Sequence, residues 1–211
     1  MSPRVELGLD SHPLDAIAAD VAVAGFFLED RPLRGGAGRV DWRLCGLVSQ
    51  MLAKGEIVAD RGSALLLGAT GAFKAPRILL LGLGSRADFA LTVAQDSMRA
   101  AMGRCIELGV RRIALAPLGV ASDDLVRHAP ALVGGVAEAL RSLDGIPGPP
   151  TDFEIRLAVA ESGIEKASQA LDQAASAFVD QGIVIRPVLR RQHRPSPLRG
   201  APPSGFPQPR L

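Results

Sequence analysis

Apolar and polar positions along the chain fall into blocks of two kinds, one with period two or none and one with period 3–4. Val5, Leu7 and Leu9 alternate with polar neighbours, which predicts a short, half-exposed strand. Asp20–Phe27 (DVAVAGFF) is a nearly continuous apolar run, the pattern of a strand covered on both faces. Ala64–Gly68 and Arg77–Leu83 read as two further buried strands. The TGAFKAP between them is too short for a helical crossover, so a hairpin or tight connection is expected. Ile113–Pro117 and Glu154–Ala160 follow, and Ile183–Val188 is placed at a sheet edge because Pro187 has no N–H to give to a ladder.

Helices are expected between these strands. Asp41 is read as the cap of one with Leu44, Cys45, Val48, Met51 and Leu52 on its apolar face, ended by Gly55. Thr92 and Gln95 form a capping-box pattern ahead of Ala94, Met98, Ala101, Met102 and Cys105, with Gly109 closing the helix. Ser122, Asp123 and Asp124 make an anionic start for a helix faced by Leu125, Ala129, Leu132, Val133, Val136 and Leu140, with Pro130 as a kink point. After a loop at 144–152, Ile164, Ala167, Leu171, Ala174 and Phe178 mark a last helix. This alternation predicts a three-layer α/β/α fold around a mixed, mostly parallel sheet.

Composition changes the picture at the C-terminus. The 211 residues are 47% apolar and 22% charged, which excludes collagen, coiled coil and wholesale disorder. No apolar run is long enough for a membrane span, and MSPRVELGLD has acids where a signal peptide is apolar, so a soluble, cytoplasmic protein is expected. The net charge of +2 is uneven. Six of the 24 basic residues and none of the 22 acids lie at 186–211, leaving 18 basic against 22 acidic, or −4, in the remainder. A folded domain at 1–185 and a disordered Arg/Pro-rich tail at 186–211 are therefore expected. The tail is suited to an acidic partner or a nucleic acid, although a single Phe speaks against stacking on bases.

Two glycine-rich segments are the candidate ligand-binding sites. Arg34, Gly35, Gly36 and Gly38 lie between a buried strand and a helix, where backbone N–H groups converge on a phosphate or else merely form a flexible connection. Gly82, Gly84 and Ser85 follow a strand in a formal G-x-G-x-x-A pattern, but Glu107 lies in a helix where a dinucleotide fold wants an acid at a strand end. A tight turn is the competing reading there. Cys45 and Cys105 fall on apolar helix faces and read as core thiols. His12 and His193 fall in loop and tail, and His128 has no acid at helical spacing. Asp123 and Asp124 read as a helix start. No catalytic residue, metal site or cofactor is expected.

ADVAVAGFF, VDWRLCGLVSQMLAKGEI and RILLLGLG followed by SRADF, then more loosely LVGGVAEAL and EIRLAVA, resemble the N-terminal domain of the cytosolic leucine aminopeptidase family. The resemblance runs from Ala19 to about Phe178. It implies a macro-domain-like fold that, in the family, precedes a catalytic domain binding two divalent metals through a Lys, several Asp and a Glu. The Asn-Thr-Asp-Ala-Glu-Gly-Arg signature of that domain does not occur here. The implied role is a non-catalytic, stand-alone module for binding, assembly or regulation, partnered by its own copies or by a full-length aminopeptidase-like protein. The alternative it implies is a binder of ADP-ribose or another nucleotide diphosphate, held between the 34–39 and 82–86 loops. A metal-dependent aminopeptidase follows from the resemblance alone.

Overall fold

The computed structural model describes residues 4–121, 124–143, 152–178 and 184–190. Seven strands, β1 (Arg4–Asp10), β2 (Val21–Phe26), β3 (Ala64–Gly68), β4 (Arg77–Gly82), β5 (Arg112–Leu115), β6 (Asp152–Ala158) and β7 (Val184–Arg190), form one sheet in the order β3-β4-β2-β5-β6-β1-β7. Every neighbouring pair is parallel except β3 and β4, which form the expected antiparallel hairpin. The helices are α1 (Gly35–Arg43), α2 (Leu47–Ala53), α3 (Leu91–Glu107), α4 (Leu125–Arg141) and α5 (Ile164–Ser176).

Side-chain alternation on the strands builds two cores. Val21 and Val23 of β2, Leu79 and Leu81 of β4 and Ile155 and Leu157 of β6 pack under α3, α4 and α5. Ala22, Ala24, Ile78 and Leu80 face the other way, under α1 and α2. The result is the predicted three-layer α/β/α fold.

Several local expectations are corrected by tertiary contacts. β1 is an interior strand, buried along most of its length, rather than half-exposed. The first helix begins at Gly35 and not after Asp41, and it breaks at Cys45 and Gly46, whose φ values are +55° and +82°. Asp41 does cap, but it caps the next helix. Its carboxylate accepts from Ser49 N–H (2.9 Å) and Ser49 Oγ–H (2.6 Å) in the first turn of α2. The break leaves Cys45 exposed, so it is no core thiol, while Cys105 is buried. The capping box at Thr92 does not form. α3 starts at Leu91 without a side-chain cap, and Gln95 Nε2 donates instead to Glu138 Oε1 of α4 (2.6 Å).

α4 passes through Pro130, and its N-cap Asp124 makes no side-chain capping bond. Ser122, Asp123, His193 and the 144–151 part of the expected loop lie outside the described residues. β7 occupies the expected edge but runs to Arg190, past the expected domain boundary at 185, so the first five residues assigned to the tail belong to the sheet. Residues 191–211 lie outside the described residues. Among the described residues no helix is long and apolar enough to cross a membrane.

Candidate functional site

The carboxyl ends of β2, β4 and β5 open onto a crevice of about 250 Å³. Parallel α/β sheets bind ligands at this end, where the connections leave for opposite faces. Its walls are Gly25 and Phe27 at the end of β2, Asp30 in the following turn, Arg34, Gly35 and Gly36 at the start of α1, Arg86 beyond β4, and Pro117 and Gly119 to Ala121 beyond β5.

Arg34 is the N-cap residue of α1 in extended conformation, and no side chain caps this helix end. The N–H groups of the first turn, which have no partner within the helix, and the positive end of the helix dipole therefore lie at the crevice wall formed by Gly35 and Gly36. Gly35 has φ +54°, and a Cβ there would meet nothing within 4 Å, so the glycine serves the backbone turn and leaves the space open. Gly36 has a packing role, because a Cβ there would collide with that of Ala116 and approach that of Ala24 to 3.0 Å. The glycine-rich segment expected as a loop is thus the first turn of a helix pressed onto the sheet.

Of the predicted site residues, Arg34, Gly35 and Gly36 line the crevice and Gly38, Gly82, Gly84 and Ser85 do not. A Cβ on Gly38 would strike the Leu33 carbonyl, and one on Gly82 would strike Ser63 and the Asp60 carbonyl. Gly84, at φ +76°, accepts from Leu28 N–H (3.0 Å) and donates to the Ala59 carbonyl (2.8 Å). Ser85 Oγ donates to Glu29 Oε1 (2.8 Å), and Glu29 Oε2 accepts from Arg86 N–H (3.0 Å). These bonds, the Arg86 N–H first, hold the Glu29 carboxyl below its ordinary range. The second loop therefore acts through its next residue. It fixes the backbone of Arg86, whose guanidinium reaches the crevice.

Arg86 lies 4.1 Å above the Phe27 ring and donates to Asp30 Oδ1 (2.6 Å). Asp30 is 5% exposed, and its other oxygen accepts from Phe27 N–H (3.1 Å). Below them Phe27 meets Phe89 edge to face (5.0 Å), and Phe89 stacks on buried His128 (6.3 Å), whose Nδ1 lies 3.0 Å from the Asp124 carbonyl. Gly119, at φ +71°, admits this ring stack, since a Cβ there would stand 2.6 Å from Phe27. Sequence reading named none of Phe27, Asp30, Arg86 and Gly119 as site residues, although Arg86 closes the 82–86 loop and Phe27 ends the DVAVAGFF run.

The crevice thus presents helix N–H groups, Arg34 and a braced Arg86 against one carboxylate already committed to Arg86 and Phe27 N–H. The charge and hydrogen-bond donors of such a lining are complementary to an anion. Among the described residues no group of three or more His, Cys, Asp or Glu could hold a metal ion, and the crevice itself offers a single carboxylate, Asp30, which does not fit a two-metal centre there. Neither cysteine lines the crevice. Burial pushes the Cys105 thiol up to about 12, while Cys45 is exposed. A thiol reagent at neutral pH is expected to titrate one cysteine in the native protein and two after denaturation; two fast thiols in the native state would contradict the burial of Cys105.

Residues 22–145 match the model for the N-terminal domain of the cytosol aminopeptidase family. The probable cytosol aminopeptidase of Ralstonia pickettii is 36% identical over 96 residues, covering 44% of this chain and 19% of the relative. That of Nitrosomonas eutropha is 28% identical over 111 residues, covering 53% and 22%. The chain spans about a fifth of the length of these curated relatives. A tomato leucine aminopeptidase superposes with TM-score 0.62 at 18% identity, over 86% of this chain and 38% of the other. A Trypanosoma brucei macrodomain in complex with ADP-ribose gives 0.59 at 13% identity, over 78% and 68%, which is a likeness of fold.

Proposed function

The chain belongs to the cytosol aminopeptidase family through its N-terminal domain, and on that footing we propose that it is a binding module whose crevice takes a phosphate-bearing small molecule. The observation that carries this is the uncapped first turn of α1 opening beside Arg34 and the braced Arg86. Volume limits the ligand. About 250 Å³ lies below the ~300–1,000 Å³ usual for whole small-molecule sites. This space matches a pyrophosphate or sugar-phosphate portion rather than a complete ADP-ribose, the rest of which would extend beyond the crevice. The aminopeptidase reading gains no residue from the crevice.

Titration calorimetry with pyrophosphate and with ADP-ribose tests the proposal. Binding of pyrophosphate is expected, with affinity falling about tenfold or more in Arg34→Ala and Arg86→Ala, the loss of one charge-assisted contact each. No heat at millimolar concentration of either ligand overturns it.

A second reading, an assembly module that joins its own copies or a full-length aminopeptidase-like protein, is favoured by Trp42. This side chain is 66% exposed on α1. The guanidinium carbons of Arg39 and Arg43 lie 5.0 and 5.8 Å from its ring centroid, and both arginines pair with Asp15. Burial raises the Asp15 carboxyl, but its bonds to Arg39 and the two positive charges bring it below the ordinary value. A rigid aromatic flanked by arginines has the composition of a protein-binding hot spot.

A further inference from the structure

β3 ends the sheet, and the hydrogen-bond phase of its inner side fixes what its outer side offers. Gly82 N–H donates to the Ser63 carbonyl (2.9 Å), and Ala69 N–H donates to the Pro76 carbonyl (2.9 Å). Both pairs share the register that sets Leu65 opposite Leu80 and Leu67 opposite Ile78. Antiparallel ladders alternate, so Leu65 and Leu67 bond to β4 while Ala64, Leu66 and Gly68 turn their N–H and C=O groups outward. Those three residues are exposed, Leu66 to 45%. No charged residue occurs from Gly62 to Phe73, whereas sheet edges that must stay single are blunted by charge, proline or a bulge.

We propose that β3 pairs antiparallel with β3 of a second copy of this chain, about a two-fold axis through Leu66, so that two sheets become one. The proposal stands apart from the crevice; it rests on the assembly reading and gives self-association a surface separate from Trp42. The outward phase makes Leu66 and its counterpart a hydrogen-bonded pair on the axis. Ala64 then lies opposite Gly68 on each side, small against small, and each of these pairs exchanges two backbone bonds. The segment is self-complementary. Its exposed leucine meets itself, and two uncharged edges bring no like charges together. A foreign extended peptide gains the backbone bonds but not this symmetric match. Five paired residues per copy cover less area than the ~1,200–2,000 Å² of a stable interface, so the dimer is weak and concentration-dependent.

Sedimentation velocity of the full chain is expected to show mass rising from monomer toward dimer across micromolar concentrations. Leu66→Lys sets two ammonium groups opposite each other and holds the chain monomeric. Circular dichroism confirms that this exposed-site variant is folded. In a Cys45→Ser background, Leu66→Cys places two thiols on Cα atoms about 5.5 Å apart, within the disulfide range, and oxidant links them into a dimer. Val126→Cys, at an equally exposed position (45%), does not crosslink. A chain that is monomeric at every concentration overturns both the pairing and self-assembly. A dimer that survives Leu66→Lys, with no crosslink through position 66, overturns the pairing and leaves the assembly reading standing.

Discussion

Gly135→Ala is expected to destabilise the protein by about 2 kcal/mol, whereas Gly134→Ala, one residue earlier, leaves stability unchanged or slightly raised. The two glycines lie side by side in α4, where it packs on α3. A Cβ at Gly135 would run into the Gln95 carbonyl, stand 2.8 Å from Met98 Cβ and 3.0 Å from Arg99 N. Two of these three atoms are backbone, so the only relief is to push the helices apart along their shared face. The three atoms nearest a Cβ at Gly134 all belong to the Gln95 side chain, at 3.2–3.4 Å. That side chain can shift by a few tenths of an ångström and keep its bond to Glu138. Alanine is better than glycine in a helix by roughly 1 kcal/mol, so the sign at each position depends on whether the neighbour can yield. Urea unfolding followed by circular dichroism at 222 nm reads both variants. Equal midpoints would show that α3 and α4 do not approach as closely as described.

This contrast also marks what the sequence could reveal. Hydrophobic periodicity located the strands, and the short TGAFKAP connection left a hairpin or a tight connection, of which the structure has the hairpin. Periodicity could not supply the partners of polar residues. β1 looked half-exposed because Glu6 and Asp10 are charged. Yet Asp10 is buried, with His12 Nδ1 at 2.6 Å and Arg156 Nη1 at 4.0 Å, the latter brought from β6. Gln95 was read as part of a local capping box and is committed to Glu138 of another helix, while Asp41 caps across the helix break, at Ser49 of α2. The same limit divides the crevice. Arg34, Gly35 and Gly36 are contiguous and could be recognised together. Asp30, Arg86 and Gly119 meet only because β2, β4 and β5 are neighbours in the sheet, and neighbours in a parallel sheet are far apart in sequence.

Asp30 joins stability to binding, and its two substitutions are expected to separate the two roles. Asp30→Ala leaves the Phe27 N–H without an acceptor in a buried turn, at a cost of about 2 kcal/mol in unfolding free energy. Little of that cost comes from Arg86, which is half exposed and regains water. Asp30→Asn keeps an oxygen for Phe27 N–H, so it should lose less than about 1 kcal/mol. Its effect on binding runs the other way. The carboxylate opposes any anion at the first turn of α1, and removing its charge should tighten pyrophosphate binding about five- to tenfold. Losing the ion pair also loosens Arg86, which acts against this gain. Two restraints survive the substitution, the Phe27 ring 4.1 Å below the guanidinium and the bond from Arg86 N–H to Glu29. With the arginine still held over the crevice, the charge change decides the sign. Calorimetry on Asp30→Asn at low and high salt checks it, since a gain of electrostatic origin shrinks as salt rises. Weaker binding in Asp30→Asn at both salt concentrations would assign Asp30 the task of aiming Arg86, and the crevice would then depend on the intact ion pair.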